Sequence, residues 1–237
     1  MADRIDEARL RDALVRAGRR LGTRGLISAG EGNLSIRLPG SRLLVTPSGR
    51  RKDELEPGDL IVVPLVADDP SIPVSAPAGL RPTSDLAIHR AVLQARPDAT
   101  SVAHAHLPAT MALTLAGIAP DPTVLPETAL FLPRLSVLPY GEPGSTELAG
   151  RIAAALTEAP EPFPGALILE RHGAVAVGGP AAGGAAAAAI ASAGTDALIA
   201  ALGQAIDRLE LVEVLARTWR DAILLRAATG GGYPSRP

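Results

Sequence analysis

Cysteine is absent from the 237 residues. That excludes disulfides, a thiolate nucleophile, iron–sulfur clusters and Cys-type zinc sites, and it fits a reducing, cytoplasmic setting. Aromatic residues number five, namely Phe131, Phe163, Tyr140, Tyr233 and Trp219, too few to build stacking platforms for bases or sugars. Lys52 is the only lysine. It stands in the polar run Gly49-Arg50-Arg51-Lys52-Asp53 rather than in the desolvated pocket that an imine-forming lysine needs, so covalent lysine catalysis is not expected. Neither sign of charge dominates. The 23 Lys and Arg against 25 Asp and Glu leave a net charge of −2, which offers no basic face for nucleic acid. Long apolar runs are missing too. The stretch from Ala181 to Ala205 is rich in Ala and Gly and carries Asp196, so it reads as a tightly packed helix and not as a membrane span. The charged start, Met1 to Glu7, lacks the apolar region of a signal peptide.

What is present suits one domain. We take it as residues 1–237, with 229–237 a flexible tail that Gly230-Gly231-Gly232 sets free. Helical spacing of Ile5, Ala8, Leu10, Leu14, Val15 and Leu21 predicts a first helix over 4–21, stopped by Gly22 and Gly25. Short extended runs follow at 33–37 and 42–46, with Pro39-Gly40 between them as a hairpin turn. Leu60 to Leu65 reads as a buried strand. Thr83 or Ser84 can cap a helix over about 85–95, with Asp85 in its first turn. Ser101 to His106 is a strand, followed by a helix near 109–116. Strands at 134–138, 166–170 and 174–177, a helix at 145–158, and one or two long helices over 181–228 complete the chain. Strands and helices interleave, which predicts three layers around one sheet.

Of the four histidines, His104 and His106 stand two apart on a predicted strand, so both rings leave the same face. With His172, in Glu170-Arg171-His172-Gly173, they could offer three imidazoles and an open position, the donor set of a catalytic zinc site. The plainer account is a pair of half-exposed strand histidines. Asp85 and His89 share a helix face at i, i+4; they are either a general acid/base beside a metal, with His89 a further ligand or orienting group, or an ordinary surface pair. Three small-residue turns, Gly30-Glu31-Gly32-Asn33, Thr46-Pro47-Ser48-Gly49 and Pro82-Thr83-Ser84, expose backbone N–H groups and short donors of the kind that cradle an oxyanion. Each is equally an ordinary turn when taken singly. Gly30 and Gly32 do not make a dinucleotide loop, because a strand follows them and no third glycine does.

In order, Gly32-Asn33-Leu34-Ser35, Thr46-Pro47-Ser48-Gly49, Thr83-Ser84-Asp85 with His89, His104-Ala105-His106 and His172-Gly173 resemble the class II aldolase/adducin family over about residues 5–228. The family includes L-fuculose-phosphate aldolase, L-ribulose-phosphate 4-epimerase and methylthioribulose-phosphate dehydratase. The resemblance implies a three-layer α/β/α sandwich around a mainly antiparallel sheet, and a divalent ion, usually zinc, with Mn2+ or another divalent ion as the alternative. It also implies a phosphorylated ketose substrate, neither nucleic acid nor membrane as partner, and a homotetramer with active sites between subunits.

Carried over by position, His104, His106 and His172 match the metal ligands, and Gly32, Asn33, Ser48, Gly49, Thr83 and Ser84 match the phosphate loops. Asp85 falls where the aldolase has its catalytic glutamate and the epimerase an aspartate. Near Leu125-Pro126-Glu127-Thr128 the aldolase has a tyrosine, whereas this chain offers Glu127, as the epimerase and dehydratase offer an acidic residue. Asp85, Glu127 and Tyr233 are therefore the candidate catalytic groups, Tyr233 on its tail closing over the substrate. Breaking a C–C bond beside a carbonyl leaves an enediolate, and without a suitable lysine a Lewis-acid metal is the remaining sink. The expected reaction is zinc-dependent cleavage of a ketose 1-phosphate to dihydroxyacetone phosphate and an aldehyde in carbohydrate metabolism. Dehydratase or 4-epimerase chemistry on the same metal is the near alternative. A non-enzymatic adducin-like interaction module is the distant one.

Overall fold

The computed structural model describes residues 5–158, 164–179 and 194–230. The first helix, α1 (Glu7–Thr23), starts at Asp6, whose carboxylate accepts from the Arg9 N–H, and buries Leu10, Ala13, Leu14, Ala17 and Leu21 at helical spacing. Strands β1 (Asn33–Leu38) and β2 (Arg42–Val45) form the expected hairpin, and β3 (Ile61–Pro64) adds to its outer edge. After α2 (Leu86–Ala95) come β4 (Ser101–Ala105) and α3 (Pro108–Leu115). Next are a short helix, α4 (Pro126–Phe131), then β5 (Leu135–Leu138), α5 (Thr146–Thr157), β6 (Ala166–Leu169) and β7 (Gly173–Gly178). One helix of 35 residues, α6 (Thr195–Thr229), completes the described chain. Of the long helical stretch expected over 181–228, residues 181–193 lie outside the described residues, as does the tail beyond Gly230.

The seven strands make one sheet in the order β3-β2-β1-β4-β7-β6-β5. Every pairing is antiparallel except β5 with β6. Alternate residues feed two cores, as the period-2 geometry of strands requires. On β7, Ala174 and Ala176 face the layer of α1 and α6, whereas Val175 and Val177 face the layer of α2 and α5. With both faces covered, the sheet is the centre of the three-layer α/β/α sandwich that the sequence led us to expect.

Small residues on the α6 face let that helix approach closely. A Cβ placed on Gly178 would lie 1.7 Å from the Ala201 carbonyl oxygen, so the two backbones touch with no room for any side chain. Farther along, α6 anchors α3 through a single acid. Glu213 is buried, and its carboxylate accepts from the Ala109 N–H, the Thr110 N–H and the Thr110 hydroxyl, while Arg217 pairs with it. It serves as the N-terminal cap of α3 from a residue a hundred positions away. Beside it, Ala109, Leu113 and Ala216 pack with Ile118, Trp219 and Ile223. Glu213→Ala strands two buried N–H groups and is expected to lower stability by about 2–4 kcal/mol in urea unfolding. An unchanged midpoint would show that α3 is held by something else.

Candidate active site

The donors converge where β4 ends. His104 sits opposite Asn33 on β1 and opposite Val175 on β7, in the middle of the sheet. Its face of the sheet carries Asn33 and Ser35 two positions apart and looks toward α2. His106 lies just past the end of β4, one residue beyond the strand expected to hold it. His172 arrives from the tight turn between β6 and β7, which closes with the His172 N–H donating to the Leu169 carbonyl at 3.0 Å. That turn places Arg171 at φ +59° and Gly173 at φ +126°. Only glycine fits the second position, because a Cβ there would meet the Ala105 carbonyl oxygen at 2.1 Å. The start of β7 can thus press against the end of β4, and the three imidazoles meet with ring centroids 4.8–5.0 Å apart. One nitrogen from each ring lies within 4.8 Å of the others.

The protonation pattern fits a cation. The Nδ1–H of His104 donates to the Ala174 carbonyl at 2.9 Å, which leaves Nε2 as a bare lone pair. That nitrogen is buried and has no hydrogen-bond partner, and neither has Nδ1 of His172. Facing His104 Nε2 at 3.8 Å is Oδ2 of Asp85, another acceptor. A bare imidazole lone pair facing a carboxylate is costly when buried, and a cation placed between them would offset that cost. Burial pushes the His104 imidazole well below its ordinary value, helped by His172 and opposed by Asp85. Burial and His106 lower that of His172. His106, half-buried, has the Glu31 carboxylate 3.5 Å from its Nδ1.

The helix start is shifted from the one expected: neither Thr83 nor Ser84 is at the boundary of α2, and the Thr83 hydroxyl accepts from the Asp85 N–H at 3.2 Å. Asp85 itself is the residue at which the helix starts, yet its side chain makes no capping bond. The carboxylate instead accepts from the Asn33 amide at 2.7 Å. Burial pushes its carboxyl up, but His104, the Asn33 amide, His89 and His172 outweigh this and hold it below the ordinary carboxylate range. The helix forgoes a cap, at a cost of about 1 kcal/mol, so that the acid can face the histidines.

His89 lies outside the cluster and bonds to Asn33, the residue that holds Asp85. Since the Asn33 nitrogen donates to Asp85, its oxygen must accept, and it does so from His89 Nε2–H at 2.6 Å. His89 Nδ1 then accepts from the Ser35 hydroxyl at 2.7 Å. Ser35, His89, Asn33 and Asp85 form one chain of bonds running to the edge of the histidine cluster. Burial drops His89 to about 4, against the pull of Asp85, so it is neutral. A histidine lowered in the fold takes up its proton preferentially when unfolded. Stability is therefore full above about pH 6.5 and falls as pH drops toward 4, by on the order of 3 kcal/mol for this group. Urea midpoints of chelator-treated protein should fall from pH 7 to pH 5, and His89→Gln should flatten the slope. A slope untouched by that change would assign it to other groups.

The three small-residue turns lie together beside this chain. Pro47 pairs with Pro82 in an isolated bridge, the Ser48 N–H donates to the Arg81 carbonyl at 2.9 Å, and the Thr83 N–H to the Thr46 carbonyl at 3.2 Å. A Cβ on Gly30 would stand 3.5 Å from the Gly49 backbone, which brings the first turn to the second. Ser48, Gly49 and Ser84 are exposed, while Gly32, Asn33 and Thr83 are buried. Two other candidates are not placed there. Glu127 stands exposed on α4, which packs against α6 and the turn before it. Tyr233 lies outside the described residues.

Some of what the structure shows went unread in the sequence. Lys52 is buried, 1% exposed, and not at the surface as its polar neighbours suggested. Its ammonium donates to the carbonyls of Gly30 and Arg50, partners with no side-chain signal. Ser35 and Glu31 stand inside quoted motifs but carry no expected role of their own, although Ser35 follows Asn33 at the spacing that puts both on one face of a strand.

A sequence model of the Class II Aldolase and Adducin N-terminal domain matches residues 12–219. The 3-oxo-tetronate 4-phosphate decarboxylase of Haemophilus influenzae is 30% identical over 173 residues, 71% of this chain and 76% of that protein. Methylthioribulose-1-phosphate dehydratase of Methylococcus capsulatus is 33% identical over 101 residues, 43% of this chain and 46% of its own length. Among solved structures, L-fuculose-1-phosphate aldolase from Thermus thermophilus superposes with a TM-score of 0.71 at 29% identity, over 96% of this chain and 100% of that one. The match is continuous from α1 into α6 and takes in the three histidines, so this chain is an enzyme of the class II aldolase type and belongs to the class II aldolase/adducin family.

Proposed function

We propose that the chain is a metal-dependent lyase that breaks a carbon–carbon bond beside a carbonyl in a phosphorylated ketose, releasing dihydroxyacetone phosphate and an aldehyde. The observation that carries this reading is the facing of acceptors: the bare Nε2 of His104, with Asp85 3.8 Å away, beside His106 and His172. His104, His106 and His172 would hold the ion, and three imidazoles suit zinc. Such an ion supplies Lewis-acid stabilisation of the negative charge that grows on the carbonyl oxygen as the bond breaks.

The chain's own residues do the rest. Gly32, Asn33, Ser48, Gly49, Thr83 and Ser84 hold the substrate phosphate, whose binding energy aligns the reacting end. Asp85, ionised and kept in place by Asn33 and His89, accepts and returns the proton. Glu127 and Tyr233 serve, in this reading, a site completed by a neighbouring subunit of a homotetramer. The exposed Leu130, Phe131, Leu224 and Leu225 support such an assembly.

A second reading is decarboxylation of a phosphorylated 3-oxo sugar acid, in which carbon dioxide leaves in place of an aldehyde. Its support is the decarboxylase match over 71% of the chain. One experiment decides between them. Metal-loaded protein is given ketose 1-phosphates and 3-oxo sugar acid 4-phosphates, with products read by NMR. An aldehyde from the first panel supports aldol cleavage, carbon dioxide from the second supports decarboxylation, and no turnover of either overturns both.

A further inference from the structure

Lys52 has one of the largest fully buried side chains of the protein. A lone ammonium taken out of water requires partners. Its Nζ donates to the Gly30 carbonyl at 2.7 Å and to the Arg50 carbonyl at 2.6 Å. These carbonyls belong to two different turns: one leads into Asn33, and the other follows Ser48 and Gly49. The packing of α1 fixes where the side chain begins, because Gly18 lies so close that a Cβ there would meet the Lys52 carbonyl oxygen at 2.2 Å. Among the described residues no carboxylate forms an ion pair with Lys52. A buried cation with no carboxylate in contact is costly, the charge of Asp85 acts on it only from farther away, and an anion arriving nearby offsets the remaining cost.

We propose that Lys52 is a positioning residue for a phosphate dianion: its ammonium ties the Gly30 and Arg50 turns together and sets a fixed positive charge on the inner side of the turns that carry Ser48 and Gly49. This inference rests on the reading of those turns as the phosphate cradle and deepens it, because a buried positive charge favours a dianion over a neutral group of the same shape. The amine is poised to respond. Burial brings it down to about 8, with the charge of Asp85 pulling the other way, and a nearby dianion would raise it again.

Because the chain has a single lysine, protein labelled with 13C- and 15N-lysine gives one side-chain signal. Inorganic phosphate is titrated into the metal-loaded protein while calorimetry measures its affinity. The expected result is a saturable shift of that signal at the calorimetric Kd, with the titration midpoint rising by about one unit. Lys52→Met should weaken phosphate binding about tenfold or more with metal content unchanged, and Lys52→Arg should recover part of the loss. A mere brace would leave the signal's midpoint where it was. Phosphate that binds without moving the lysine signal, as it would at the metal alone, overturns the proposal. So does a folded Lys52→Met variant with wild-type phosphate affinity. If that variant does not fold, the titration of the wild-type signal decides by itself. Wild-type protein that binds no phosphate overturns the cradle and this inference with it, whereas binding with an unmoved signal overturns the inference alone.

Discussion

His172→Ala is expected to leave the fold standing while removing stoichiometric metal and lowering kcat/KM by roughly 10⁴-fold or more. Of the two buried histidines proposed as ligands, His172 is the one whose removal disturbs packing less. It stands in a turn rather than within a strand, and that turn keeps its other attachments: the backbone bond to Leu169 and the bond from the Arg171 N–H to the Thr114 hydroxyl. His104, by contrast, is 0% exposed in the middle of the sheet, so loss of activity on replacing it would mix chemistry with a cavity. The check is elemental analysis of the purified variant beside turnover and a circular-dichroism spectrum. A folded, metal-free variant with full activity would remove the metal from the reaction.

Asp85→Asn should keep the metal and lose kcat by about 10²–10⁴-fold. The replacement is nearly isosteric, and its amide oxygen can still accept from Asn33, so the chain from Ser35 through His89 survives. What disappears is the capacity to take a proton. Substrate binding, which the proposed function assigns to the three turns, should change much less than kcat. Glu127→Gln is the comparison. If Asp85→Asn is nearly wild type and Glu127→Gln is dead, the chemistry moves from aldol cleavage toward dehydration. If both variants are active, neither carboxylate moves the proton.

The histidine pair was legible because a strand repeats every two residues, so its grouping on one face needs no tertiary information. The small-residue turns were legible for a similar local reason, since their glycines and hydroxyls advertise open backbone donors. The role of His89 was only half legible. Its spacing from Asp85 showed a shared helix face, but its partners Asn33 and Ser35 come from β1, and the neighbourhood of β1 and β4 is a matter of sheet order. Lys52 was misread because the surrounding Arg50, Arg51 and Asp53 report solvent, while the carbonyls that receive its ammonium carry no sequence signature. The short helix α4 escaped because six residues hold too little periodicity to count, although Pro126 at its first turn is a start signal. Asp85 was placed inside α2 rather than at its boundary because caps are judged from side-chain type, and this one is spent elsewhere.

The cluster joining α3 to α6 has an optical consequence. Trp219, the only tryptophan, lies in that cluster with Ile118 and Ile223, so the intrinsic emission of the protein reports one corner, while far-ultraviolet dichroism reports all of its helices and strands. α3 begins two residues after His106. Emission is thus a local gauge of whether the helix leading away from the His104–His106 pair is docked. Heating curves that coincide in the two signals would make this corner part of a single cooperative unit. An emission change that precedes the dichroism change would mark it as the part of the enzyme that opens first.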